Sequence, residues 1–419
     1  MSIRNLNQRA AHLTEFAKSR AESLRIGIRE HEGVHVLDFG VTSEGGLEAG
    51  VLLAKICLSG MADVEITQSD SRLPDVPQVF VRTDHPVAAC LMSQYAGWKI
   101  ASADFFAMGS GPMRAVVRKE DIFQHLPKTE DGQLAVGVLE SGSLPSQSAI
   151  DLIRESLPAE CRLTLAVAPT ASQAGNIQVV ARSIETALHK LHDLHFPCEH
   201  IVSGTGIAPL PPVAKSDLHG IGRTNDSILY GATVNLWVRC SDDAIEAIGA
   251  KVPSNSSASH GQTFLSLFKA ANHDFYAMDA ALFSPAVVVF HNLQTGRTFR
   301  YGTLLPDLLR DRSEWHNHAN RCLWKSRQLV RERVVSFRHR AGARHVAAAV
   351  RSVRCPCTYR IRRFPVWRYR SEKSGCDTGA DDATRYPGAG CRTHEHAGRT
   401  GGLRCAGHQF PARTGMCRR

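Results

Sequence analysis

The sequence predicts an α/β protein of mixed layers, and three observations carry that prediction. Short runs rich in β-branched residues alternate with longer amphipathic segments from about residue 10 to residue 300. Glycine-rich turns punctuate them. After about Leu309 the patterning stops, and an arginine-, cysteine- and glycine-rich text that cannot fill a core runs to residue 419. The expected organisation is a folded body over 1–309 and a non-globular basic extension over 310–419. At 419 residues the chain is long enough for two or three domains.

In chain order, residues 10–26 read as an amphipathic helix. Residues 34–39 (VHVLDF) read as a strand running into a glycine-rich turn and then an apolar helix over 47–58. Further strands are predicted at 63–67, 78–82, 134–139, 162–167, 232–238 and 286–290, each a short β-branched run. Helices are predicted at 87–95, 146–156, 176–194 and 262–271 from apolar residues at three- and four-residue spacing. Within 176–194, Ile177, Ala181, Ile184, Leu188 and Leu191 fall on one stripe. Arg182, Glu185 and His189 project together beside it, where a packed helix meets solvent or a cleft.

Charge divides the chain as sharply as pattern does. Residues 1–310 carry 26 Lys+Arg against 32 Asp+Glu, and residues 311–419 carry 24 against 8, so the body is −6 and the tail +16. An acidic body is ordinary for a soluble enzyme and gives no footprint for nucleic acid. The tail holds 22 Arg, 2 Lys and seven Cys. It reads as the out-of-frame translation of GC-rich DNA, with a disordered basic nucleic-acid arm as the alternative. Zinc ligation by Cys355, Cys357, Cys376, Cys391, His394 and His396 fits no paired-knuckle spacing. The body's five cysteines, Cys57, Cys90, Cys161, Cys198 and Cys240, form no C-x-x-C pair and read as reduced thiols. No apolar run approaches a membrane span and the N-terminus lacks a signal-peptide core, so a cytoplasmic location is expected.

Residues 109–114 (GSGPMR) form a tight glycine turn suited to presenting N–H groups to an anion, but not a Walker A loop. Residues 203–213 (SGTGIAPLPPV) read as a shaped loop or linker. Residues 222–230 (GRTNDSILY) put Arg223, Thr224, Asn225 and Asp226 at an expected helix start, where Asn225 or Asp226 would cap or meet a ligand. His189, His192 and His195 drift around the helix at i+3 steps, which disfavours a metal site, and no H-E-x-x-H is present.

Eight blocks, in order, make the body similar to one family. They are GGLEAG (45–50), TDHPVAACLMSQYAGW (83–98), FAMGSGPMRA (105–114), GVLE (137–140), APTASQAGNIQVVARSIETALHKL (168–191), SGTGIAPLPPV (203–213), GIGRTNDSILYGATV (220–234) and DFYAMDAALFSPAVVVFHNLQTGRTF (274–299). The body resembles the methenyltetrahydromethanopterin cyclohydrolases of one-carbon metabolism. That resemblance implies a two-domain α/β subunit with a cleft between domains, a homotrimer, and no metal or organic cofactor. The implied reaction is the reversible hydrolysis of 5,10-methenyl-tetrahydromethanopterin to the 5-formyl compound. The resemblance makes Arg182 and Glu185 the catalytic pair. It places Ser110, Gly111, Glu140, Arg223, Asn225 and Asp226 around the pterin or its side chain, and Lys99 or Arg114 on the phosphorylated tail of the substrate. The chain departs from the family in running on for about 110 residues past 309.

The chemistry is arguable from the residues themselves. A methenyl carbon is already cationic, so it needs a placed water and a proton acceptor more than a Lewis acid. Glu185 is expected to deprotonate that water, and Arg182 to hold the Glu185 carboxylate and limit the rise of its pKa. The competing classes are a catalytically silent pterin-binding relative and a nucleic-acid binder acting through the tail.

Overall fold

A computed structural model of the chain describes residues 5–312 except 72 and 74; the predictions for the basic tail lie outside the described residues. Twelve strands build two six-stranded mixed sheets. They are β1 (Gly27–His31), β2 (Val34–Asp38), β3 (Asp63–Thr67), β4 (Gln78–Thr83), β5 (Trp98–Ala101), β6 (Phe106–Ser110), β7 (Leu134–Glu140), β8 (Arg162–Ala168), β9 (Ile201–Pro209), β10 (Thr233–Val238), β11 (Val287–Asn292) and β12 (Thr298–Gly302). The first sheet has the order β1-β2-β8-β7-β6-β5 and the second β12-β11-β10-β9-β4-β3. The chain therefore visits the first sheet, crosses to the second, returns, and finishes in the second. In the first sheet β2, β8 and β7 run parallel, so their C-terminal ends, including Glu140, lie on one edge. The 146–156 helical prediction explains that pairing: the helix Gln147–Arg154 is the crossover a parallel β7–β8 pair needs.

The helix Leu47–Cys57 joins the two sheets. Its Leu52, Leu53 and Ile56 pack with Leu37, Val136, Val138 and Ala166 of the first sheet. Its Ala54, with Leu58 just beyond, joins Val79, Val81, Ala208 and Val234 of the second. The other face of the first sheet is closed by Ala149, Ile150 and Ile153 against Val36, Leu165 and Val167. Each such fully buried aliphatic side chain contributes about 1.5–3 kcal/mol.

All seven predicted strands are present, and the elements sequence reading did not assign are β1, β5, β6, β9 and β12. Residues 203–213 were expected as a loop, yet 201–209 form the central strand β9. A helix runs over Asp217–Gly231, so Asn225 and Asp226 stand in its second half and cap nothing at its start. The expected body boundary at 309 falls inside the helix Pro306–Arg312, whose Leu309 is fully buried against Leu229 and Tyr230.

The predicted 176–194 helix is two helices, Gln173–Val180 and Ser183–Asp193, broken at Ala181–Arg182. The cause is a side chain inserted into the hydrogen-bond ladder. Gln94 Nε2 donates to the Ala181 carbonyl at 3.2 Å, the acceptor an unbroken helix would offer to residue 185. Arg182 N–H turns back to the Val179 carbonyl at 3.1 Å instead. The apolar stripe survives the break, since Ile177, Ala181, Ile184, Leu188 and Leu191 are all buried.

Candidate active site

The break puts Arg182 at the cap position of the second helix and Glu185 in its first turn. Neither decorates the surface: each is 6 % exposed. The i, i+3 ion pair that the spacing allows does not form among the described residues. Arg182 Nη2 bonds Glu140 Oε1 at 2.7 Å and Ser110 Oγ at 3.1 Å. Its Nε bonds Gln178 Oε1 at 3.1 Å, and Nη1 donates to the Gln94 carbonyl. The planar guanidinium thus spends its fork on fixed acceptors from three directions. The expectation that Arg182 holds the Glu185 carboxylate is corrected: Glu140 is its partner, and Arg182 reaches Glu185 through its charge alone.

Glu185 accepts no hydrogen bond from the described residues. Burial pushes its carboxyl up to about 7, with the Arg182 and Arg114 charges opposing that rise and Glu140 adding to it. A carboxyl balanced at neutral pH in a water-poor site is the state a general base needs.

The supporting residues come from the edges of the first sheet. Ser110 ends β6, donates to the Val138 carbonyl at 3.1 Å, and lies 3.4 Å from Cys57 Sγ. Gly111 follows at φ 84°, a left-handed conformation, and a Cβ there would stand 3.1 Å from both Val136 O and Val138 N. Glu140 ends β7, and its Oε1 also accepts from Gln178 Nε2 at 3.3 Å.

Arg114 was expected to meet the tail of a ligand, and the structure places it otherwise. It is fully buried, ion-paired to Glu120, donates to the Leu91 and Ser93 carbonyls, and lies between Tyr95 and Phe123 at 4.8 and 5.1 Å from their ring centres. It organises this cluster from within. Lys99 is exposed on the edge strand β5, with Nζ 6.0 Å from the Phe106 ring centre. Arg223 donates to the Pro212 and Val213 carbonyls, and Asn225 to the Ile221 carbonyl. Asp226 is buried under Phe264, whose N–H it accepts at 2.7 Å, and burial raises its carboxyl to about 7 against that bond. Among the described residues, Lys99, Asn225 and Asp226 share no hydrogen bond with the Arg182 cluster, and the Arg223 bonds to Pro212 and Val213 lie outside it.

Sequence reading missed Gln94 and Gln178. Gln178 was findable, standing four residues before Arg182 and so on the same helical flank. Gln94 lies in one of the blocks that carry the family resemblance and acts by a contact spanning 88 residues, which no local pattern encodes. An open groove of about 640 Å³ lies elsewhere, on the outward face of the second sheet between Arg82, Thr205 and Trp237. It shares no residue with the cluster, and open volume without perturbed titratable groups carries less chemical meaning than the buried charges do. Among the described residues, no group of three or more His, Cys, Asp or Glu side chains converges as a metal site would require. All five described cysteines are free, as expected.

A family model described as Cyclohydrolase (MCH) matches residues 5–312. The chain is 50 % identical over 284 residues to a methenyltetrahydromethanopterin cyclohydrolase of Rhodopirellula baltica, covering 66 % of this chain and 85 % of that one. It is 41 % identical to the protein of the same name from Methylobacillus flagellatus, covering 73 % and 94 %, and 37 % identical to that of Methanosarcina barkeri, covering 73 % and 97 %. The chain belongs to the methenyltetrahydromethanopterin cyclohydrolase family. The family match stops where the sequence changes character.

Proposed function

We propose that this protein hydrolyses the methenyl bridge of 5,10-methenyl-tetrahydromethanopterin to the 5-formyl compound, reversibly. The observation that carries this reading is Glu185, buried, without a hydrogen-bond partner among the described residues, and balanced near neutral pH beside a guanidinium fixed by other groups. Water adds to the cationic methenyl carbon as Glu185 takes one of its protons. The remaining hydroxyl proton then moves to one bridge nitrogen as its bond to carbon breaks, leaving a formyl group on the other. Arg182, held by Glu140, Ser110 and Gln178, supplies a fixed positive charge that keeps Glu185 ionisable in the closed site.

In this reading Ser110, Gly111 and Glu140 frame the pterin, and Glu140, with one oxygen outside its Arg182 bond, takes an amino edge. Arg223, Asn225, Asp226 and Lys99 belong to this reading as outer contacts. The cationic carbon supplies its own electrophilicity, so the proposed step uses no metal or organic cofactor. We assign the protein to the cytoplasm as a homotrimer of two-subdomain subunits, in keeping with the family resemblance; among the described residues no helix is long and apolar enough to cross a membrane.

The test is a spectroscopic assay with the methenyl derivatives of tetrahydromethanopterin and tetrahydrofolate side by side. Turnover of the first well above the second is expected; preference for the folate undoes the substrate assignment.

A further inference from the structure

The proposed hydrolysis releases a proton that Glu185 cannot keep. The substrate is a cation and the formyl product is neutral. Of the two protons of the attacking water, one ends on the released bridge nitrogen and the other on Glu185. Every forward turnover therefore leaves one net proton on a carboxyl that is 6 % exposed, and it must reach solvent before the next cycle.

We propose that His189 is the exit for this proton, taking it from Glu185 through one intervening water and passing it toward Asp193 and bulk water along one flank of the Ser183–Asp193 helix. The three residues stand at i, i+4 and i+8, the spacing that stacks side chains on one helical face about 5–6 Å apart. Exposure rises along the row, since the side chains of His189 and Asp193 are 30 % and 42 % accessible. His189 Nδ1 lies 3.8 Å from Asp193 Oδ2, beyond hydrogen-bond reach, and neither ring nitrogen makes a hydrogen bond among the described residues. The ring is held in place: it stacks on Tyr95 with centroids 4.5 Å apart and planes at 21°, and Tyr95 carries the Arg114 guanidinium 4.8 Å from its ring centre. The same aromatic thus borders both the imidazole and the charge cluster around Glu185.

The charged and titratable groups facing His189 are Glu185 one turn before it, Asp193, His192 and Lys190 from its own helix and Arg114 from the Met113–Val117 helix, with Tyr95 over its ring. Burial lowers the imidazole pKa, Asp193 opposes, and the neighbouring cations add to the lowering. His189 therefore rests neutral near pH 7, with a lone pair to accept a proton. From there the proton has two outlets, Asp193 and His192, whose Nδ1 lies 4.0 Å from Asp193 Oδ1.

This inference rests on the hydrolase reading, and its test separates the two. The full chain and its His189→Gln variant are assayed with methenyl-tetrahydromethanopterin at pH 7 in dilute buffer that cannot itself carry protons efficiently. The expected result is a kcat lower by about 10- to 100-fold with KM changed less than about twofold. Added imidazole restores turnover in proportion to its concentration, and the solvent deuterium isotope effect on kcat grows. A purely structural loss would show neither response. Asp193→Asn, at an exposed position, is expected to show a smaller fall with the same rescue, and it decides the matter if His189→Gln does not fold. Unchanged kcat in both variants, or a fall that imidazole leaves untouched, overturns the role of His189. An inactive wild-type chain overturns the hydrolase reading instead.

Discussion

Replacing Glu185 by Gln should make the protein more stable and less active at once, and the size of the stability gain should follow pH. The Glu185 carboxyl is raised from 4.5 to about 7 in the folded chain, chiefly by burial. Between those two values the folded protein holds a proton that the unfolded chain has released, so ionisation opposes folding and stability falls as pH rises. The cost is close to zero below pH 4.5, about 1 kcal/mol at pH 5.5, and levels off at about 3 kcal/mol above pH 7. Gln keeps the shape and carries no charge at any pH. The difference in unfolding free energy, variant minus wild type, should therefore grow by about 2 kcal/mol from pH 5.5 to 8.5 in urea titrations. Over the same range turnover of the variant should lie about 10²–10⁴-fold below wild type, with substrate binding little changed. A stability difference that stays flat across pH, whatever its sign, would show that Glu185 is not a desolvated, ionising group in the fold. Near-normal turnover would separately remove it from the reaction.

Other expected outcomes follow from the same geometry. Arg182→Leu leaves Glu140 without its cation in a mostly buried site and should cost about 3–5 kcal/mol in urea unfolding; Arg182→Lys should recover part of the stability but little of the turnover, because one ammonium cannot serve four acceptors. Gly111→Ala places a methyl group 3.1 Å from two backbone atoms of β7 at a φ of 84°, so thermal unfolding should report a loss of about 1–3 kcal/mol and a lower kcat as Ser110 shifts. Asp226 is also raised to about 7 by burial, so its contribution is present below pH 4 and lost as pH rises through 7. Asp226→Asn should gain stability at pH 8 relative to pH 5, read by the same titrations, without the collapse of turnover expected for Glu185→Gln.

Much of the architecture was legible because hydrophobic burial is written in local periodicity. The buried run 134–140 and the half-buried run 233–238 both declare strands. The R-x-x-E flank was legible for the same reason, because both residues border a stripe that had to face a core. What was not legible lies in contacts between distant segments. β9 was hidden by Gly204 and Gly206, which look like loop residues. They are strand positions pressed by the next layer, since a Cβ on Gly206 would meet Ser183 Oγ at 2.3 Å. The helix break was invisible because Gln94, which causes it, lies 87 residues away. The pairing of Arg182 with Glu140 was missed for an analogous reason. Spacing along a helix suggests a neighbour three residues on, whereas the carboxylate that wins arrives from the end of β7, 42 residues back.

The two-residue joint at Ala181–Arg182 gives the protein a mechanical property. One helix leaving the joint is packed on the Leu47–Cys57 helix, and the other rests on β9 and β10. The guanidinium therefore sits where two separately anchored bodies meet, while its clasp on Glu140 ties that meeting point to the first sheet. Distant repacking of either layer is transmitted to the position of one charge. Damage far from the Arg182 cluster should consequently register as slower chemistry before it registers as weaker substrate capture.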